Sequence, residues 1–110
     1  MKGADLDRPE GLSADGNRAY DIIMAFLQSH DMTDPGGCKT FYSPSEWKDR
    51  GESYGLESEL VVVHDGGEVA GICNLDYGNY GLHDEFQDTL NAAGFYMEAC
   101  TCWYSAIYRA

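Results

Sequence analysis

The strongest constraint on the fold is an apolar stripe near the start of the chain. The stripe recurs at i, i+3, i+4, i+7, i+8 and i+11, and it consists of Ala19, Ile22, Ile23, Phe26, Leu27 and His30. This spacing places all six side chains on one face of an α-helix. Ser13 is a suitable N-cap, and Asp15 in the first turn suits the helix dipole. The sequence therefore predicts a helix from Ser13 to about His30 that packs through this face.

A short strand and a short helix are predicted next. Asp34 to Gly37 has the proline and glycines of a turn, and Thr40 to Tyr42 is typical of a short strand. The segment Ser43-Pro44-Ser45-Glu46 combines a capping box with proline at the first helical position. It predicts a short helix that ends at Gly51.

A β-hairpin is predicted for the centre of the chain. Leu60 to His64 is rich in β-branched residues and favours a strand. Asp65-Gly66 is typical of a hairpin turn, and Val69 to Leu75 is a second apolar run. We therefore expect these two runs to pair, with Gly67 able to lengthen the loop.

The last third of the chain predicts a second main helix followed by β structure. After a turn at Tyr77 to Gly81, apolar residues recur at helical spacing: Leu82, Phe86, Leu90 and Ala93. Gly94 stands where a C′ glycine ends a helix. Phe95 to Tyr108 is rich in aromatic and β-branched residues, which predicts either one long bent strand or a hairpin broken near Thr101.

These elements predict an α+β domain with two main helices and one short helix on an antiparallel sheet. A length of 110 residues suits a single domain, expected at 12–110 after a mobile tail at 1–11. No apolar run reaches the roughly 18 residues of a transmembrane helix. The residues expected to be mostly buried are Ile22, Ile23, Phe26, Val61, Val63, Ile72, Phe86 and Leu90.

The distribution of charge is the strongest indication of function. The net charge is −12, and positions 52–107 contain ten carboxylates but no lysine or arginine. Such a field repels nucleic acid and anionic membranes and attracts cations and basic surfaces. The charge therefore disfavours direct nucleic-acid or membrane binding and favours a basic protein surface as the partner.

The cysteines are the candidates for metal chemistry. Cys100 and Cys102 would share one face of a strand, and Cys38, Cys73 and the histidines could complete a zinc site. A structural zinc site usually has a second cysteine pair, which this chain lacks. We expect reduced, buried thiols in a cytosolic setting, without metal.

The sequence also contains candidates for a nucleophilic cysteine site and for a calcium loop. Cys38 follows two glycines and could act as a nucleophile with His64 and Asp76, although nothing in the sequence brings these three together. The segment from Asp76 to Glu85 lacks the alternating ligands of a calcium loop, and its acids suit a helix start. Neither a cofactor nor a catalytic residue is therefore expected.

Aromatic residues interleaved with acids suggest where a partner would bind. Eight tyrosines and two tryptophans are many for this length, and both types are enriched in protein interfaces. The predicted partner-binding residues are Asp76, Tyr77, Tyr80, Asp84, Glu85 and Asp88. The alternative acidic face comprises Glu57, Glu59 and Glu68 around the predicted central hairpin.

Four segments, Gly36–Pro44, Gly51–Gly55, Leu60–Gly67 and Cys102–Arg109, resemble small uncharacterised proteins of phages and plasmids. In size and acidity the chain is also similar to anti-CRISPR and antirestriction proteins, many of which bind basic nucleic-acid channels and some of which mimic DNA. The resemblance implies a non-enzymatic, mobile-element inhibitor in the host cytoplasm that blocks a basic nucleic-acid-binding surface of a defence complex. The alternatives are a small cysteine- or metal-dependent enzyme and a structural or accessory oligomeric domain.

Overall fold

A computed structural model describes residues 6, 8–33, 39–64, 67–73, 78, 80–101 and 103–110. In chain order its elements are α1 (Ala14–Ser29), β1 (Phe41–Tyr42), α2 (Pro44–Asp49), β2 (Leu60–Val63), α3 (Gly67–Cys73), α4 (Tyr80–Ala92), β3 (Phe95–Ala99) and β4 (Tyr104–Arg109). The described strands form one antiparallel sheet of order β1-β2-β4-β3. The predicted α+β class is confirmed.

The first helix forms as its stripe and cap predict. The Ser13 side chain accepts a hydrogen bond from the Gly16 N–H at 3.0 Å, which satisfies one of the free donors of the first turn. Ile23, Phe26 and Leu27 are buried, whereas Ile22 is only partly buried. α1 therefore packs through the predicted face.

The short second helix is also confirmed. Ser43 and Glu46 make both hydrogen bonds of the capping box, and Pro44 opens the helix. Gly51 follows the C-cap with φ +86°, a conformation that favours glycine. This helix buries Trp47 completely against the sheet.

The predicted central hairpin is wrong. Residues Gly67–Cys73 form α3, and β2 pairs instead with β1 and β4. Val69, Ala70, Ile72 and Cys73 are buried, a pattern that also has helical spacing. A short apolar run does not distinguish helix from strand, and here distant strands occupy both edges of β2, so a local hairpin partner has no place. Asp65-Gly66 and the turn at Asp34–Gly37 lie outside the described residues.

The C-terminal hairpin, one of the two predicted alternatives, is present. β3 and β4 pair in a register that sets Tyr96 opposite Tyr108 and Glu98 opposite Ala106. β3 ends at Ala99, so Cys100 lies in the connection and not on a strand, contrary to the expectation. Cys102 lies outside the described residues.

The second main helix is confirmed, but it begins earlier than predicted. α4 starts at Tyr80, which was expected in a turn, and Gly94 follows its end with φ +89°. Asp84 therefore lies in the second turn and not at the helix start, so the dipole argument for its position does not hold.

The core lies on both faces of the sheet. α1 and α4 cover one face, where the rings of Phe26 and Phe86 meet edge to face with centroids 5.2 Å apart. Trp47 covers part of the other face, against Val63 and Tyr104. On this second face, the end formed by β3 and β4 is open to solvent.

Residues 1–11 are described only in part. Leu6 is buried, and its carbonyl accepts a hydrogen bond from the Tyr20 hydroxyl. Arg8 pairs with Asp21 on α1 and lies over the Tyr20 ring. These two residues of the expected tail lie against α1.

Candidate acidic interaction surface

Four of the six predicted partner-binding residues lie on α4. Asp76 and Tyr77 are outside the described residues. Tyr80, Asp84 and Asp88 follow one another at i, i+4 and i+8, which places them in a row on one helix face. All three are exposed, and Tyr80 retains 60% of its accessible surface. We call this row the α4 stripe.

Glu85, the fourth residue, faces another helix. Its Oε1 lies 3.2 Å from Nε2 of His30 at the end of α1. The carboxylate is still more than half exposed. Glu85 therefore contributes negative charge beside the α4 stripe, but its contact with His30 also joins α1 to α4.

Ion pairs with lysine or arginine, among the described residues, involve carboxylates of the first half of the chain. Five ion pairs join described lysines and arginines to carboxylates, and the carboxylates are Asp15, Asp21, Glu46 and Glu52. Even Arg109, at the end of the chain, pairs with Asp15 on α1 at 3.4 Å. Within the described part of the chain, no carboxylate after Glu52 pairs with a lysine or arginine. Among the described residues, the exposed acids Asp84, Asp88 and Glu98 are therefore not neutralised by a paired lysine or arginine.

A second acidic surface lies on the open end of the sheet. Tyr96 and Tyr108 stack with ring centroids 5.5 Å apart and planes at 24°. Tyr96 is exposed, Tyr108 is half-buried, and Glu98 is exposed two residues along the same face of β3. Burial raises the pKa of Tyr108, and Cys100, Glu98, Tyr96 and Glu57 raise it further. We call Tyr96, Tyr108, Glu57 and Glu98 the tyrosine patch.

The loop before β2 places Glu57 at this patch. Gly55 is buried with φ +81°, and an added Cβ there would lie 3.2 Å from Ala106 Cβ and 3.5 Å from Cys100 Sγ. This close approach, which favours glycine, lets the loop cross the sheet face. The Glu59 N–H then donates to the Ile107 carbonyl at 2.8 Å, so Glu57 lies beside β4.

Gln87 joins α4 to the edge of the sheet. Its side-chain amide donates to the Met97 carbonyl at 3.0 Å, and its oxygen accepts from the Met97 N–H at 3.1 Å. These bonds satisfy the outward-facing backbone groups at the middle of the edge strand β3. On α4, Gln87 is next to Asp88 and one turn from Asp84. The α4 stripe therefore runs beside the strand that carries Tyr96 and Glu98.

The two described members of the alternative acidic face, Glu57 and Glu59, have different surroundings. Glu57 belongs to the tyrosine patch, whereas Glu59 is partly buried and accepts a hydrogen bond from the Ser13 hydroxyl at 2.7 Å. The Glu68 side chain lies outside the described residues. The hairpin that was expected to unite these acids is absent, because α3 follows β2.

The residues considered for chemistry do not form a described site. His64 is buried, with Nε2 2.8 Å from the Ser105 hydroxyl, while Cys38 and Asp76 lie outside the described residues. Burial raises the pKa of Cys73 to about 12. Burial and, to a lesser extent, Glu98 raise the pKa of Cys100. Among described residues, no group of three or more His, Cys, Asp or Glu is placed to hold a metal ion.

Sequence reasoning missed the tyrosine patch and the role of Gln87. A hairpin was one of the two predictions for this segment, but the register that sets Tyr96 opposite Tyr108 is known only from the structure. The two bonds of Gln87 depend on how α4 lies against β3, which no local pattern indicates.

Within the described ranges, none of the helices is long and apolar enough to span a membrane.

Comparison with known proteins gives no relative from which a role could be transferred. No protein-family model, curated protein or solved structure matches the chain.

Proposed function

We propose that this protein is a non-enzymatic binding protein that engages a basic protein surface. The observation that carries the proposal is the separation of charge. Every ion pair made by a described lysine or arginine involves a carboxylate at or before Glu52, and Asp84, Asp88 and Glu98 remain exposed. A field of one sign speeds the encounter with a surface of the opposite sign and suppresses encounters with anionic partners.

The partner class is a basic surface that itself binds nucleic acid. Such surfaces combine lysine and arginine for phosphates with flat side chains that stack on bases. The acidic surfaces described here offer carboxylates in place of phosphates and tyrosine rings in place of bases. Tyr80 on the α4 stripe and Tyr96 in the tyrosine patch are exposed beside those carboxylates.

The charge density of the α4 stripe supports its use in place of phosphates. Asp84 and Asp88 are four residues apart, which is about 6 Å along an α-helix. One strand of DNA carries a phosphate about every 3.4 Å along its axis. The α4 stripe therefore has about half the linear charge density of one DNA strand.

The specific role that we propose is that of a mobile-element inhibitor, similar to anti-CRISPR proteins, acting in the host cytoplasm. It would occupy the nucleic-acid-binding surface of a defence complex and act as a DNA mimic. The small size, the net charge of −12 and the absence of basic residues from positions 52–107 support this role.

Capture from lysates of candidate host bacteria tests the proposal. The wild-type protein is expected to retain a basic nucleic-acid-binding protein, and Asp84→Lys with Glu85→Lys should slow its association without unfolding the domain. The matched control carries the same charge change at exposed Glu10 and Asp49. Tyr80→Ala should instead speed dissociation. Equal retention by the Asp84/Glu85 and Glu10/Asp49 variants, or retention of no basic protein, would contradict the proposal.

A further inference from the structure

We propose that the tyrosine patch is an arginine-binding anchor, at which a guanidinium from the basic partner stacks on Tyr96 and pairs with Glu98. This inference rests on the proposed function and assigns the partner's contact to a defined part of the surface. The anchor residues come from the β3–β4 hairpin, with Glu57 added by the loop before β2.

The ring pair is suited to a planar cation. Tyr96 and Tyr108 lie opposite each other in the β3–β4 register and stack at 24°, so each ring restricts the other. Tyr96 keeps 38% of its surface exposed, which leaves part of the stacked pair open to a ligand. Arginine stacks on the faces of tyrosine rings, and a carboxylate beside the ring pairs with the stacked guanidinium.

The charge around the rings is negative only, within the described residues. The negative charges of Glu98 and Glu57 both raise the pKa of the Tyr108 phenol. Arg109 follows Tyr108 in the chain, but alternation along β4 directs it to the opposite face, where it pairs with Asp15. An incoming arginine would therefore meet two carboxylates without competition from Arg109. Its planar fork also suits a carboxylate better than the single ammonium of lysine does.

Two other occupants fit less well. An added β-strand would need the outer edge of β3, but the Gln87 side chain occupies the N–H and C=O of Met97 there. A second copy of the chain, packed face to face, would set Glu57 and Glu98 against their own counterparts. Charge complementarity therefore favours a basic partner over self-association.

A titration of the whole protein with tri-arginine and tri-lysine peptides, followed by amide NMR at fixed ionic strength, tests the assignment. We expect saturable shifts centred on residues 96, 98 and 108, with tri-arginine binding at least threefold more tightly than tri-lysine. Tyr96→Phe should retain binding, whereas Tyr96→Ala and Glu98→Gln should each weaken it at least threefold. The matched controls Tyr54→Ala and Asp49→Asn, both at exposed positions outside the two acidic surfaces, should leave binding within twofold, and thermal melts verify that each variant folds.

The outcomes separate this inference from the proposed function. Saturable binding that maps to Asp84 and Asp88, or equal affinity for both peptides, would overturn the anchor but leave an acidic binding protein. The absence of saturable binding to either peptide would count against both. Sedimentation that shows a dimer abolished by Tyr96→Ala would also overturn the anchor, because the occupant would then be a second copy.

Discussion

Replacing Gln87 by methionine should destabilise the domain and open the edge of β3. Methionine has similar length and similar helix propensity, so the change removes the two hydrogen bonds to Met97 with little effect on α4 itself. It also leaves the N–H and C=O of Met97 facing a side chain that cannot satisfy them. Both effects favour the unfolded chain, in which water satisfies these groups.

The size of the effect follows from the bond count. A neutral hydrogen bond contributes about 0.5–1.5 kcal/mol net, so the pair contributes about 1–3 kcal/mol. An unfolding entropy of about 2.1 cal/mol/K per residue gives about 0.23 kcal/mol/K for this length, so the Tm should fall by about 4–13 °C. Asn91→Ala, at an exposed position one turn further along α4, is the control and should shift the Tm by less than about 2 °C.

Thermal unfolding followed by circular dichroism measures this shift, and sedimentation velocity measures the second consequence. An edge strand with free backbone groups pairs with other chains, so the Gln87→Met protein should self-associate more at high concentration. If the Tm of Gln87→Met matches that of the wild type and the protein stays equally monomeric, Gln87 does not protect the edge.

Three further predictions concern the core, the thiols and the short helix. Phe86→Ala should lower the free energy of unfolding by about 3–5 kcal/mol in denaturant titrations; an unchanged midpoint would contradict the packing of α4 described here. Cys73, whose pKa burial raises to about 12, should react with a thiol reagent only on unfolding, and elemental analysis should find no stoichiometric zinc; labelling of Cys73 in the folded protein, or bound zinc, would contradict this. Partial burial would raise the pKa of Glu46, but hydrogen bonds from Ser43 and the charge of Lys39 outweigh it and lower the pKa. The ionised Glu46 therefore stabilises the fold at neutral pH and loses this effect as the pH falls below its ordinary pKa of 4.5, so the wild type should be more stable than Glu46→Gln at pH 7 and the two should converge in acid.

Local chemistry was sufficient to predict the helices that carry caps and periodic stripes. Ser13 and the capping box at Ser43 determine where α1 and α2 begin, because the bonds they make involve neighbours in the chain. The prediction of a central hairpin was wrong because the pairing of β2 depends on residues far away in the chain. The pairing of β2 with β4 joins residues more than forty positions apart, and the run after Asp65 fits a helix as well as a strand.

The candidate surface was predictable only where it depends on local helical spacing. The acids of α4 follow from composition and helical spacing, so Asp84, Glu85 and Asp88 were located correctly on one exposed helix. The contact of Glu85 with His30 and the bonds of Gln87 to Met97 depend on the packing of distant elements. The tyrosine patch requires both the β3–β4 register and the loop that crosses at Gly55, and neither has a signature in sequence.

Competition with DNA for the same complex tests the proposed inhibitor role. Purified RNA-guided nuclease and restriction complexes would be incubated with labelled target DNA and increasing concentrations of this protein, at several salt concentrations. We expect that at least one complex loses its DNA, that the loss weakens as salt rises, and that reversing the charges of Asp84, Glu85 and Asp88 abolishes it. Displacement that is unaffected by salt and by these reversals, or DNA binding that persists in every complex at saturating protein, would contradict that role.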